Sequence, residues 1–99
     1  MALTGKQVRQ LRSMAHHLNP LVLVGKGNVN ESLVAQAAEC LEAHELVKCS
    51  VLEMCDLTAR EAADELAERT GADVVQVIGR KFTLYRMSTR DDVKHIELA

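Results

Sequence analysis

From Leu3 to Leu18 the apolar residues Val8, Leu11, Ala15 and Leu18 recur at steps of three, four and three, the period of one helix face. Lys6, Arg9, Arg12, Ser13 and His16 fall on the opposite side, which predicts an amphipathic helix with a basic outer stripe. Asn19-Pro20 ends it, because the residue before proline avoids helical angles and proline has no N–H to donate. Leu21 to Val24 is an aliphatic run that reads as a short strand, apolar on both faces and therefore central in a sheet. Beyond Gly25-Lys26-Gly27-Asn28, the residues Leu33, Val34, Ala37 and Leu41 mark a second helical face running towards His44. Two residues compete to cap it: Asn28, which has Glu31 at capping-box spacing, and Asn30.

Residues 46 to 54 put Val47, Cys49 and Val51 on one face and Lys48 and Ser50 on the other, the alternation of a half-buried strand. Thr58 with Glu61 opens a third helix whose buried side is Ala62, Ala63, Leu66 and Ala67, and Gly71 closes it. Val74 to Ile78 and Phe82 to Tyr85 are β-rich runs joined by a tight hairpin at Gly79-Arg80-Lys81, with Tyr85 packing in its strand. Residues 87 to 99 lack periodicity, although Val93, Ile96 and Leu98 offer a short docked segment. The order helix, strand, helix, strand, helix, strand, strand contains two strand–helix–strand units, which imply two parallel pairings, and the terminal hairpin adds an antiparallel one. The expected product is an α/β domain with a single mixed four-stranded sheet and three helices.

A length of 99 residues suits one domain spanning 1–99, and an apolar share of 47% excludes simple disorder. The longest aliphatic run is far short of the roughly 20 residues of a membrane span, and the first residues lack the apolar stretch of a signal peptide. Cys40, Cys49 and Cys55 are an odd number without C-x-x-C spacing, which fits reduced thiols and a cytoplasmic location. With His44 they offer zinc-type groups, but no knuckle turns bring them together, so neither a metal nor a cofactor is expected.

The net charge of −2 conceals strong segregation. Residues 1–30 carry +4 with no acid, residues 31–73 carry −8, and residues 74–99 carry +2 with no acid before Asp91. Such blocks are often no more than solvated helix faces, but if the two acid-free stretches meet in the fold, the molecule has one basic and one acidic face. Where a strand runs into Gly25-Lys26-Gly27-Asn28 and then a capped helix, free backbone N–H groups and the positive end of a helix dipole converge, a geometry that binds anions. The spacing matches neither a Walker A loop nor a dinucleotide fingerprint.

The blocks from Ala15 to Asn28, Leu41 to Lys48 and Thr70 to Arg80, closing on Leu84-Tyr85-Arg86 and opened by Leu3-Thr4-Gly5-Lys6-Gln7, resemble the CRM domain, the small RNA-binding module of the YhbY-like family. The resemblance covers residues 3–86 as the domain core and leaves 87–99 as a C-terminal extension. It implies a fold like the C-terminal domain of translation initiation factor three. It also implies a stand-alone bacterial protein that binds rRNA in precursors of the large ribosomal subunit; in plants the domain is repeated within organellar intron-splicing factors. The family's KH-like G-x-x-G loop is usually Gly-Lys-Gly-Gly; Gly25, Lys26 and Gly27 match, and Asn28 replaces the last glycine, where it can either keep a left-handed turn or cap the helix.

The expected RNA-binding set is Gly25, Lys26, Gly27 and Asn28 with Lys6, Arg9, Arg12 and His16 from the first helix and Arg80, Lys81 and Arg86 around the hairpin. One Phe and one Tyr leave little for base stacking, so structured or double-stranded RNA held by its phosphates is the expected ligand. The expectation is a monomer without catalytic residues, with ribosomal proteins as further partners. Two other classes are a docking adaptor working through the acidic helices and a small phosphate- or nucleotide-binding enzyme; the latter lacks a placeable nucleophile and base.

Overall fold

Three helices and four strands form in the expected order in the computed structural model, which describes residues 3–99: α1 (Gly5–Ala15), β1 (Val22–Val24), α2 (Glu31–His44), β2 (Leu46–Val51), α3 (Ala59–Thr70), β3 (Asp73–Ile78) and β4 (Lys81–Tyr85). Each helix begins where a side chain accepts one of its free amides. Thr4 accepts from Gln7 N while the Gln7 side chain accepts from Thr4 N, and Thr58 and Glu61 do the same for α3. Asn30, not Asn28, caps α2, its side chain accepting from Leu33 N at 2.8 Å. Gly71 ends α3 in the left-handed conformation.

The sheet order is β1-β2-β4-β3, with β1 and β2 parallel and the other two pairings antiparallel. This corrects two expectations. There is one parallel pairing rather than two, because β4 folds back from the Gly79-Arg80 turn into the gap between β2 and β3. And β1 lies at the edge: Val22 and Val24 are buried, but Leu21 and Leu23 face outward and remain exposed. The central position goes to β4, whose Phe82, Thr83, Leu84 and Tyr85 are buried on alternating faces.

α2 and α3 cover one face of the sheet, where Leu33, Leu41 and Leu66 pack on Val22, Val47, Cys49, Phe82 and Leu84. The alanines of α3, with Ala62 and Ala63 fully buried, let that helix lie close to the strands. α1 packs on the other face through Leu11 and Ala15, against Leu46, Val75 and Tyr85. An irregularity between Val74 and Gln76 leaves Val75 outside the regular pairing, and it joins that second cluster. The two acid-free stretches of chain therefore do meet, because α1 packs against β3 and β4.

Residues 87–99 form no helix or strand but are fastened to the domain. The buried Glu45 carboxylate accepts from Ser88 N at 2.7 Å and Ile96 N at 2.6 Å, and His95 Nδ1 lies 2.6 Å from it. Ile96 and Leu98 then pack against the cluster under α1.

Candidate nucleic-acid interface

The C-terminal ends of β1, β2 and β3 and the start of β4 share one end of the sheet, where Leu52 N donates to Val24 O at 2.9 Å and Val51 N to Arg80 O at 2.7 Å. Gly25 to Asn28, the connection 52–58 and the Gly79-Arg80 turn therefore cluster there. Asn28 takes φ 54°, a left-handed angle that asparagine tolerates better than most residues, and its N–H donates to Gly25 O at 3.0 Å. Its side-chain oxygen accepts from Asp56 N at 3.1 Å and from Cys55 Sγ at 3.3 Å. Just beyond, Val29 is buried and its carbonyl accepts from the Arg69 guanidinium at 2.9 Å.

The loop is thus held from behind at Asn28 and Val29, while Lys26 and Gly27 face solvent. Their backbone N–H groups have no acceptor among the described residues, which leaves them free for an anion's oxygens. Neither Gly25 nor Gly27 has a positive φ, so backbone angle does not explain the glycines. A Cβ on Gly27 would come within 2.5 Å of the Asn30 Nδ2 that belongs to the α2 cap. One on Gly25 would meet Leu52 at 3.7 Å and Met54 Sδ at 4.0 Å, both ordinary contacts.

Around the loop the predicted cations divide into three groups. Arg80 and Lys81 are exposed at the same end of the sheet. Arg12 donates through Nε to Val75 O at 3.0 Å, and His16, just past the end of α1, lines a shallow depression with Lys48, Gln76, Ile78 and Lys81. Lys6 and Arg9 are exposed near the start of α1, a helix that begins beside Gly71, Asp73 and Tyr85 at the opposite end of the sheet, so they extend the basic surface away from the loop.

Arg86 is the exception. It follows β4 at the far end, where it donates to Thr70 O at 2.7 Å and Ala38 O at 3.3 Å and lies 3.8 Å from Glu42. With its side chain only 24% exposed, it clamps α2 and α3 together and does not join the cations near the loop. Lys48 was not among the expected site residues, yet it lies beside His16 with Nζ 3.4 Å from Ala15 O. The alternation of β2 puts it on the face opposite Val47 and Cys49, a signal that the net acidity of residues 31–73 masks.

The acidic residues lie mainly on the other side. Glu39, Glu61, Asp64, Glu65 and Glu68 are exposed on α2 and α3, and Glu31, Glu53 and Asp56 border the loop. The loop stands at the boundary between a basic and an acidic face. Of the thiols, Cys49 is buried and pushed up to about 12 by that burial, and Cys40 is raised by burial and by the neighbouring Glu39, so neither is a ready nucleophile at neutral pH.

A family model for the CRS1 / YhbY (CRM) domain matches residues 3–86. The chain belongs to this family. The CRM domain here is 48% identical over 96 residues to "Probable RNA-binding protein YqeI" of Bacillus subtilis, covering 97% of this chain and 98% of that one. It is 36% identical over 86 residues to a Haemophilus influenzae protein named "RNA-binding protein", covering 87% of each. Among solved structures, the solution structure of the hypothetical protein SAV1595 from Staphylococcus aureus superposes with a TM-score of 0.79 at 42% identity, covering 99% of this CRM domain and all of that chain.

Proposed function

We propose that this CRM domain is a non-enzymatic RNA-binding protein that holds rRNA in precursors of the large ribosomal subunit during assembly. The observation that carries the reading is the loop Gly25-Lys26-Gly27-Asn28: pinned from behind, open in front, with two free amides and a lysine at the same end of the sheet as Arg80 and Lys81. Such a loop grips a phosphate backbone and reads little sequence. The family relationship supports RNA as the ligand, since relatives similar over nearly the whole chain bear RNA-binding names. Arg12, His16 and Lys48 extend the contact across the α1 face, with Lys6 and Arg9 as its outer margin. The domain works as a cytoplasmic monomer without cofactor or metal. Its acidic outer helices keep that side off the RNA and available to basic ribosomal proteins.

Crosslinking in cells followed by sequencing of the attached RNA tests the assignment. Enrichment of large-subunit rRNA precursors is the expected result; reads distributed simply by RNA abundance would contradict it.

A further inference from the structure

On the α1 face, the strand register places Leu23, Ser50, Lys81 and Ile78 in a single row across all four strands, about 14 Å from end to end at ordinary strand spacing. α1 does not cover this row. The helix packs on Leu46, Val75 and Tyr85, further along the strands, and Leu23 and Ile78 remain 53% and 60% exposed. The adjoining row of Lys48, Thr83 and Gln76 forms with His16 a depression of about 290 Å³. No residue in either row is acidic.

The row also adjoins the loop. Leu23 stands two residues before Gly25, and Ile78 and Lys81 flank the Gly79-Arg80 turn. Leu21 and Leu23 are exposed at one edge strand and Ile78 on the other, so aliphatic and cationic side chains share this uncovered surface. Cations exclude a basic partner, and aliphatic side chains next to Ser50 and Gln76 can meet nucleobases only where these are unstacked, because a duplex presents phosphates and a shallow groove.

We propose, building on the RNA-binding reading above, that this uncovered half of the sheet is a platform for unpaired RNA nucleotides adjoining the backbone segment gripped by the loop. Leu23 and Ile78 pack on bases, while Lys48 and Lys81 neutralise the phosphates between them. The preferred ligand is then a structured RNA with an unpaired segment, not a plain duplex.

The test compares a blunt RNA duplex with the same duplex bearing an unpaired tail, using the wild-type chain and a Leu23→Thr/Ile78→Thr variant. Both sites are exposed and threonine suits a strand, so the variant should fold; an unchanged thermal midpoint checks this. Wild type should prefer the tailed RNA, and the variant should lose about tenfold in affinity for it while binding the blunt duplex as before. Photocrosslinks from 4-thiouridine in the tail should map to peptides containing Leu23 or Ile78. Equal wild-type affinity for both RNAs, or an unchanged affinity of the variant for the tailed RNA, would overturn the platform while leaving the loop clamp standing. Failure of wild type to bind either RNA would overturn the RNA-binding reading itself, and the platform with it. If the variant instead abolished a dimer seen by sedimentation and kept its RNA affinity, the row would be a protein contact, which also overturns the proposal.

Discussion

The side-chain oxygen of Asn28 accepts the backbone N–H of Asp56 at 3.1 Å, tying the loop after β1 to the connection after β2. Asn28 combines a left-handed backbone with this tether, which glycine at the same position could not supply. Asn28→Ala should lose both and destabilise the domain by about 1–3 kcal/mol in urea denaturation. Asn28→Gly should keep the turn and lose only the tether, with the smaller cost of the two.

The two glycines should respond differently to alanine. Gly25→Ala meets only ordinary contacts, so stability should stay within about 0.5 kcal/mol of wild type. RNA affinity should also stay near that of wild type, because the methyl group meets Leu52 and Met54 and leaves the Lys26 and Gly27 amides open. Gly27→Ala displaces Asn30 from its cap and should cost about 1 kcal/mol of stability as well as affinity. Paired denaturation and binding curves separate the two effects.

Arg86 should behave as a structural residue. Arg86→Lys replaces a fork reaching two carbonyls with a single ammonium, and should lower stability by about 1–3 kcal/mol. RNA affinity of the folded fraction, measured well below the unfolding midpoint, should not change.

The C-terminal strap should loosen in acid. Burial pushes the Glu45 carboxyl up, but hydrogen bonds from His95, Ser88 and Ile96 outweigh it and hold the group below its ordinary 4.5. Hydrogen bonds from the Thr89 side chain and backbone likewise hold Glu42 down to about 2. Groups with lowered folded values contribute their stability above the ordinary value and lose it as pH falls through the folded one. Protection of the Ser88 and Ile96 amides against exchange, taken relative to their intrinsic rates, should therefore fall as pH drops below 4.5. Glu45→Gln should flatten that dependence and leave the strap loosened at neutral pH.

Much of this fold was legible because its signals are local. The Thr58–Glu61 box, Gly71 and the apolar face of α3 lie within one stretch of chain, and each takes the predicted place. Strand order was not local: that β4 enters between β2 and β3, sending Leu21–Val24 to the edge, depends on which strand has apolar neighbours on both faces. Residues 87–99 were legible only in part: Ile96 and Leu98 dock as expected, but the buried carboxylate and polar contacts that hold the rest of the segment leave no periodic apolar signal. The loop was legible as a glycine-rich strand-to-helix turn. The role of Arg86 was not, because a cation bonded to helix carbonyls and one free for phosphate look alike in a sequence.

The central claim, that the loop and its neighbouring cations grip RNA by its phosphates, is tested most directly by the salt dependence of RNA affinity for wild type and Lys26→Glu/Arg80→Glu. Both side chains are exposed, so the variant should keep its fold. Wild-type affinity should fall steeply with salt, and the variant should bind far more weakly at low salt with a shallower slope, reflecting about two lost phosphate contacts. Unchanged affinity of the folded variant at low salt would contradict the account.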